Sequence, residues 1–285
     1  MMEKNFKDGE SSKVPPSEGF REAYTLHLAD DALVLGHRNS EWCAHGPVLE
    51  QDIAITNIAL DLIGQARNFY QYAAQLINGF KKAESSRAPS LLQRGFGSEA
   101  SEDSLAYLRD RHEFKNCLLT EQPNGDWAKT ILRQFFFSVY QYFLYEKLQV
   151  SKDHQLAAIA EKSLKEVTYH LRWSSEWVIR LGDGTEESHQ RMLKAIDELW
   201  LYSGELFEAA SYEQHAAKEG VGVDPSSLKP KWEEKVKEIF SEATLPYPNK
   251  VSMKGGGKKG DHTEHLSSIL ADLQFMQRTY PNSEW

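Results

Sequence analysis

The 285-residue chain has little of several things that would mark common protein classes. It has two cysteines, Cys43 and Cys117, which are too few for a disulfide framework and lack the spacing of a metal site. We interpret both as inert packing residues in a reducing, cytoplasmic protein. No apolar run approaches the roughly 18 residues of a membrane-spanning helix, so no membrane association is expected. A nucleophile elbow of the Gly-x-Ser-x-Gly type is also absent.

Positive charge is also in short supply. The 33 Lys and Arg residues face 42 Asp and Glu residues, which gives a net charge of -9. Nucleic acid is therefore disfavoured as a partner, because phosphate binding needs clustered cations. Residues 1–19 are polar and lack the apolar core of a secretory signal, and they are predicted to be a disordered tail.

Helical periodicity dominates the rest, and no period-2 strand stands out. Four segments are long enough to form the rods of an antiparallel bundle, at 20–42, 48–80, 126–148 and 153–181, with shorter helices elsewhere. The sequence therefore predicts an all-α, ferritin-like long-helix bundle with additional short helices, in one domain spanning 20–285. The very aromatic third rod is interpreted as core or as subunit interface, and less readily as the wall of a substrate pocket.

The strongest chemical candidate is a carboxylate-bridged di-iron site. Bundles of that kind take one Glu from each of two helices and Glu-x-x-His from each of the other two. In this chain both units are broken, because Asp61 is followed three residues later by Gly64, and Glu166 by Tyr169, with His170 one place beyond. Together with Asp31 these residues are interpreted as vestigial positions whose polar groups satisfy one another. An arginine such as Arg133 or Arg67 could stand between the acids.

Two further segments carry unusual chemistry. The Gly-rich run at 255–260 holds Lys258 and Lys259, with Lys254 beside it, but it lacks the strand and the Ser/Thr of a nucleotide-binding loop. A contact with coenzyme A, a contact with a partner chain and a solvated linker remain open for this run. His262 and His265 resemble a metal pair, but they lie at a helix start, where capping or partner contact fits better.

Six runs resemble one family when taken together in order, and each alone would be weak. They are EWCAHGP (41–47), NIALDLIGQARN (57–68), EQPNGD (121–126), KEVTYHLR (165–172), GGKKG (256–260) and HTEHL (262–266). Over about 20–285 the chain resembles the C subunits (PaaC) of bacterial phenylacetyl-CoA epoxidases.

That resemblance implies a function for the chain. It would be a structural, non-catalytic subunit of a multicomponent enzyme that epoxidises the ring of phenylacetyl-CoA during aerobic phenylacetate degradation. The resemblance further implies a homologous catalytic A subunit that carries the di-iron centre, and a reductase drawing on NADPH. No catalytic, cofactor or metal residue is then expected in this chain, which could form homo-oligomers when isolated. The competing hypothesis is a free-standing di-iron oxidase or oxygenase.

Overall fold

A computed structural model describes residues 19–83, 99–249, 253–280 and 283. Within these ranges the chain forms α-helices and short 3-10 turns and no strand, which confirms the all-α prediction. The helices are α1 (Phe20–Ser40), α2 (Leu49–Ala83), α3 (Glu102–Tyr107), α4 (Leu118–Glu121), α5 (Trp127–Leu148), α6 (His154–Gly182), α7 (Glu186–Ser203), α8 (Ser211–Glu219), α9 (Lys229–Glu242), α10 (Glu264–Leu273) and α11 (Phe275–Thr279). None of the described helices combines the length and apolarity needed to cross a bilayer.

The four long helices pair in chain order, α1 with α2 and α5 with α6. Each pair is joined by a short turn, as expected for antiparallel neighbours in a bundle. The turn before α6 ends at Asp153, whose Oδ1 accepts hydrogen bonds from the backbone N–H groups of Gln155 and Leu156. This cap fixes where α6 begins. The predicted ferritin-like bundle is confirmed.

Helix α5 lies in the core, which is one of the interpretations that its aromatic sequence favoured. Phe135, Phe136 and Phe137 are all buried, and the Phe136 ring packs against Trp200 and Trp232. The Trp232 indole donates a hydrogen bond to the Phe136 carbonyl at 2.9 Å. The aromatic content of α5 therefore joins the long helices to the outer helices α7 and α9.

Helix α1 is enclosed on all sides. Every residue from Tyr24 to Gly36 is buried, including Asp30 and Asp31. One face contacts α2, and other faces contact α4, α8 and α10. The charged side chains of α1 must consequently find partners inside the protein.

Several boundaries differ from the predicted ones. The predicted rods 20–42 and 48–80 correspond to α1, which ends at Ser40, and α2, which extends to Ala83. The predicted disordered tail, apart from Gly19, lies outside the described residues. The single domain from 20 to 285 stays a prediction.

Candidate functional site

The inward faces of α2 and α6 carry different residues from those predicted. At a spacing of three, the buried pairs are Leu62 with Gln65 on α2 and Val167 with His170 on α6. Gly64 is exposed, with open space around its Cα, and Tyr169 is 38% exposed. The pairs on the buried faces thus begin one residue after Asp61 and Glu166, because one residue turns a side chain by about 100° around the axis. The vestigial di-iron positions themselves stay a prediction.

Side-chain amides occupy the polar layer between α2, α5 and α6. Gln65 Nε2 donates to Glu166 Oε2 at 2.9 Å, and Gln141 Nε2 donates to Gln65 Oε1 at 2.9 Å. The same Gln141 nitrogen lies 3.0 Å from the Tyr145 hydroxyl. These contacts satisfy both ends of the Gln65 amide, whereas Gln141 Oε1 is buried without a hydrogen-bond partner.

His170 and Asp61 form the second polar contact of this layer. His170 Nε2 lies 2.9 Å from Asp61 Oδ2, and the imidazole is fully buried while the carboxylate is partly open to solvent. The prediction that these two groups satisfy each other is confirmed, whereas Glu166 pairs with Gln65 instead. His170 Nδ1 has no hydrogen-bond partner.

Neither Arg133 nor Arg67, the two arginines named from the sequence, lies between these acids in the described part of the chain. The buried Arg133 guanidinium donates to the Gln122 carbonyl and to the side-chain oxygens of Asn124 and Asn39. Arg67 is exposed and lies 3.7 Å from Glu102. The hypothesis of an arginine between the carboxylates is wrong.

The residues of this layer do not fit a carboxylate-bridged di-iron centre. Such a centre needs four inward carboxylates and two inward histidines. Leu62 and Val167 stand where the two Glu-x-x-His units would begin, Gln65 stands where one histidine would be, and α5 contributes Gln141. Among these inward residues of α2, α5 and α6, only His170 matches the required donor type at its position.

A second cluster surrounds Asp31, where α1 meets the segment before α4. Asp31 Oδ1 accepts the Cys117 N–H at 2.7 Å, Asp31 Oδ2 lies 3.6 Å from Cys117 Sγ, and His27 Nδ1 lies 3.6 Å from the same carboxylate oxygen. Among the described residues, Asp31 has no hydrogen bond or ion pair with Asp61, Glu166 or His170. The predicted vestigial set is therefore divided between two places.

His27, Asp31 and Cys117 bring their ligand atoms within 4.8 Å of one another. His27 Nδ1 donates to the Lys115 carbonyl at 2.8 Å, while His27 Nε2 is buried without a hydrogen-bond partner. Burial raises the pKa of the Cys117 thiol well above its usual value, which keeps it protonated and unreactive. The interpretation as an inert packing residue fits Cys117, but Cys43 is exposed.

The Gly-rich run is packed against the interior. Lys258 is buried, and its Nζ donates to Glu213 Oε1 at 3.0 Å and to the carbonyls of Leu206 and Glu208. Glu205 Oε1 accepts the N–H groups of Gly256 and Lys258, while its Oε2 accepts that of Leu118. The solvated-linker interpretation is wrong for 256–260.

His262 is held in the same way. Its ring is fully buried, with Nδ1 2.9 Å from Glu121 Oε2 and Nε2 2.9 Å from the Phe114 carbonyl. Burial alone would lower the pKa of His262, but Glu121 and the Phe114 carbonyl outweigh it, and the pKa is raised. A surface contact with a partner or with coenzyme A does not fit Lys258 or His262, because both are enclosed. It stays a prediction for Lys254, Lys259 and His265.

Replacing Asp31 with asparagine is expected to change the pH dependence of stability. Burial raises the pKa of Asp31 to about 6 from 3.8, so its protonated form stabilises the fold and that contribution disappears as the pH rises through 6. The free energy of unfolding of the wild type should fall relative to Asp31→Asn by about 2 kcal/mol between about pH 4.5 and 7. Denaturant titrations across that range test this. If the free energy of unfolding changed with pH in the same way for both proteins, this prediction would be contradicted.

Known proteins resemble this chain in sequence and in fold. Residues 17–285 match the family described as phenylacetic acid catabolic protein. The chain is 46% identical over 263 residues, 92% of this chain and 98% of the relative, to the C subunit of 1,2-phenylacetyl-CoA epoxidase from Escherichia coli (strain K12). Among solved structures it resembles a Synechococcus protein with aldehyde deformylating oxidase activity, at a TM-score of 0.51 and 14% identity over 81% of this chain and 94% of that one. The last likeness concerns the fold alone.

Proposed function

Because this chain belongs to the phenylacetic acid catabolic protein family, we propose that it is a non-catalytic structural subunit of a multicomponent 1,2-phenylacetyl-CoA epoxidase. In this role it scaffolds a homologous catalytic A subunit, which carries the di-iron centre and receives electrons from an NADPH-linked reductase. The relative of 46% identity is named as one subunit of such an enzyme, which supports membership of a complex.

The observation that carries the proposal is the amide layer of the bundle. Gln65 and Gln141 bond to each other, and Gln65 also bonds to Glu166, the one carboxylate nearby on α6. Leu62 and Val167, which are buried at the inward positions, have no side-chain atom that can bind a metal ion. A free-standing di-iron oxidase would need anionic ligands at these positions to neutralise two cations, so the scaffold role is the better fit.

Reconstitution of the epoxidase separates the two roles. We expect the A subunit with its reductase to epoxidise phenylacetyl-CoA at full rate only when this chain is co-expressed. A variant carrying Asp61→Asn and His170→Gln should support the same turnover per assembled complex, because neither group would touch a reacting atom. An A subunit that is soluble and fully active alone would contradict the scaffold role. A loss of turnover of about 100-fold or more in the double variant, with assembly intact, would indicate chemistry in this chain.

A further inference from the structure

Three side chains that can bind a metal ion meet where α1 contacts the segment before α4. His27 and Asp31 lie one turn apart on α1, and Cys117 immediately precedes α4. All three are buried, and their ligand atoms lie within 4.8 Å of one another. The thiol comes from a distant part of the sequence, so the tertiary fold brings it to the imidazole and the carboxylate.

Two separations within this trio fit the edges of a zinc tetrahedron. Asp31 Oδ2 lies 3.6 Å from Cys117 Sγ and 3.6 Å from His27 Nδ1. A tetrahedral zinc ion holds sulfur at about 2.3 Å and nitrogen or oxygen at about 2.0 Å, which places neighbouring ligand atoms about 3.3–3.5 Å apart. The Lys115 carbonyl oxygen, 2.8 Å from the same His27 nitrogen, adds a fourth donor at this place.

The His27 ring is surrounded by more acceptors than it has protons to donate. Nδ1 faces the Lys115 carbonyl and Asp31, and Nε2 lies 3.5 Å from Glu213 Oε1. A neutral imidazole carries one N–H, and with that proton on Nδ1 the buried Nε2 has no hydrogen-bond partner. A cation bound at Nδ1 removes this conflict, because the ring proton then lies on Nε2 and faces Glu213. Metal-bound histidines typically donate their second N–H to a carboxylate in this way.

Buried negative charge collects around the trio. The carboxylates of Asp31, Glu205 and Glu213 are all buried, and the buried ammonium group of Lys258 bonds to one of them, Glu213. Glu205 is engaged by backbone N–H groups. A buried carboxylate is costly unless a cation or several hydrogen bonds compensate it. A divalent cation between Asp31 and Cys117 would supply the missing positive charge.

We propose that His27, Asp31 and Cys117 form a structural zinc site that ties α1 to the segment before α4, with the Lys115 carbonyl at the fourth position. Imidazole nitrogen, carboxylate oxygen and thiolate sulfur are the donors that zinc takes in proteins. Binding releases the thiol proton to solvent and moves the imidazole proton from Nδ1 to Nε2. The thiolate and the carboxylate then balance the two charges of the ion.

The proposed site is selective for zinc over iron. Divalent iron binds a given set of nitrogen, oxygen and sulfur donors more weakly than zinc does, and a thiolate ligand favours zinc further. Iron at this place should therefore be lost on desalting, whereas zinc is retained. The site is independent of the proposed function, because it concerns the isolated chain.

Zinc analysis of the full chain tests the site. Because the trio is enclosed, the purified protein would be unfolded, stripped of metal and refolded with Zn²⁺ under reducing conditions, and then desalted. We expect one zinc ion per chain and a higher unfolding temperature than that of the metal-free protein, since the ion binds the folded state. Refolding with Co²⁺ instead should produce the charge-transfer absorption of a cobalt–thiolate bond.

The two cysteines of the chain provide a matched pair of variants. Cys117→Ser keeps a hydroxyl beside Asp31 but removes the thiolate. It should abolish the cobalt–thiolate absorption and weaken zinc binding by more than about 100-fold, the upper end of the loss seen when a group that only supports a ligand is removed. Cys43→Ser alters the exposed cysteine and should leave both readings unchanged. Asp31→Asn can still accept the Cys117 N–H, and it should weaken zinc binding by at least about 10-fold.

The variants also identify any other place at which zinc binds. Loss of zinc in Cys117→Ser and Asp31→Asn, with zinc retained in Cys43→Ser, supports the site, and Asp31→Asn alone decides if Cys117→Ser does not fold. Zinc that is lost in Cys43→Ser and kept in Cys117→Ser would lie at the exposed Cys43 and overturn the proposal. A wild-type chain that holds no zinc would overturn it too, and a protonated His27 imidazolium would then be the cation of the cluster.

Discussion

Replacing Arg109 with methionine is expected to lower the free energy of unfolding by about 3–5 kcal/mol. The Arg109 guanidinium is fully buried, forms an ion pair with Asp30 on α1 and donates to the Glu113 carbonyl at 3.0 Å. Methionine fills most of the space but leaves the Asp30 carboxylate buried beside the Tyr70 hydroxyl without its cation. Chemical denaturation of both proteins gives the difference directly.

Two controls define this effect. Arg278→Met removes an exposed arginine that pairs with Asp110 at 3.0 Å, and it should cost at most about 1 kcal/mol. The double variant Arg109→Met with Asp30→Leu should recover much of the loss, because no unpaired charge then remains inside. An Arg109→Met protein within about 1 kcal/mol of the wild type would show that the buried pair does not support α1.

Buried polar and charged side chains link α1 to the segments that enclose it. Asp30 pairs with Arg109, Asp31 accepts the Cys117 N–H, and His27 lies 3.5 Å from Glu213. Each contact ties α1 to a different segment of the outer layer. Such an arrangement favours one packing of the short helices around the bundle.

The long helices could be predicted from the sequence because their apolar periodicity extends over many turns. Which residues of these helices face the interior could not be predicted. On α2 apolar residues lie on two faces, since Leu60 and Ile63 are exposed while Ile58 and Leu62 are buried. When a helix carries apolar residues on two faces, its periodicity does not decide which of the two faces is buried. The residues that face inward are Leu62 and Gln65, one position after Asp61 and Gly64.

The burial of the Gly-rich run could not be predicted for a different reason. Composition alone marks glycine and lysine as solvated, and nothing local contradicts that. Lys258 is buried because Glu213, 45 positions earlier, lies against it together with two backbone carbonyls. Its pKa is raised, since the pairing with Glu213 outweighs the effect of burial. Partners so distant in sequence leave no periodic signal.

The same limit applies to Cys117 and His27, which sequence reasoning did not connect with Asp31. Their ligand atoms meet only because the segment before α4 crosses α1. A histidine one turn before an aspartate on one helix was the available signal. The cysteine, 86 positions from Asp31, had none.

Iron binding by the isolated chain tests the scaffold account most directly. The purified protein would be incubated with excess Fe²⁺ without oxygen, desalted, and analysed for iron per chain. The account predicts no stoichiometric iron, because Leu62, Val167, Gln65 and Gln141 offer no anionic ligands at the inward positions. Asp61→Asn serves as the control, since any trace of iron held at the Asp61–His170 pair should then disappear. Two irons per wild-type chain, retained after desalting, would contradict the account.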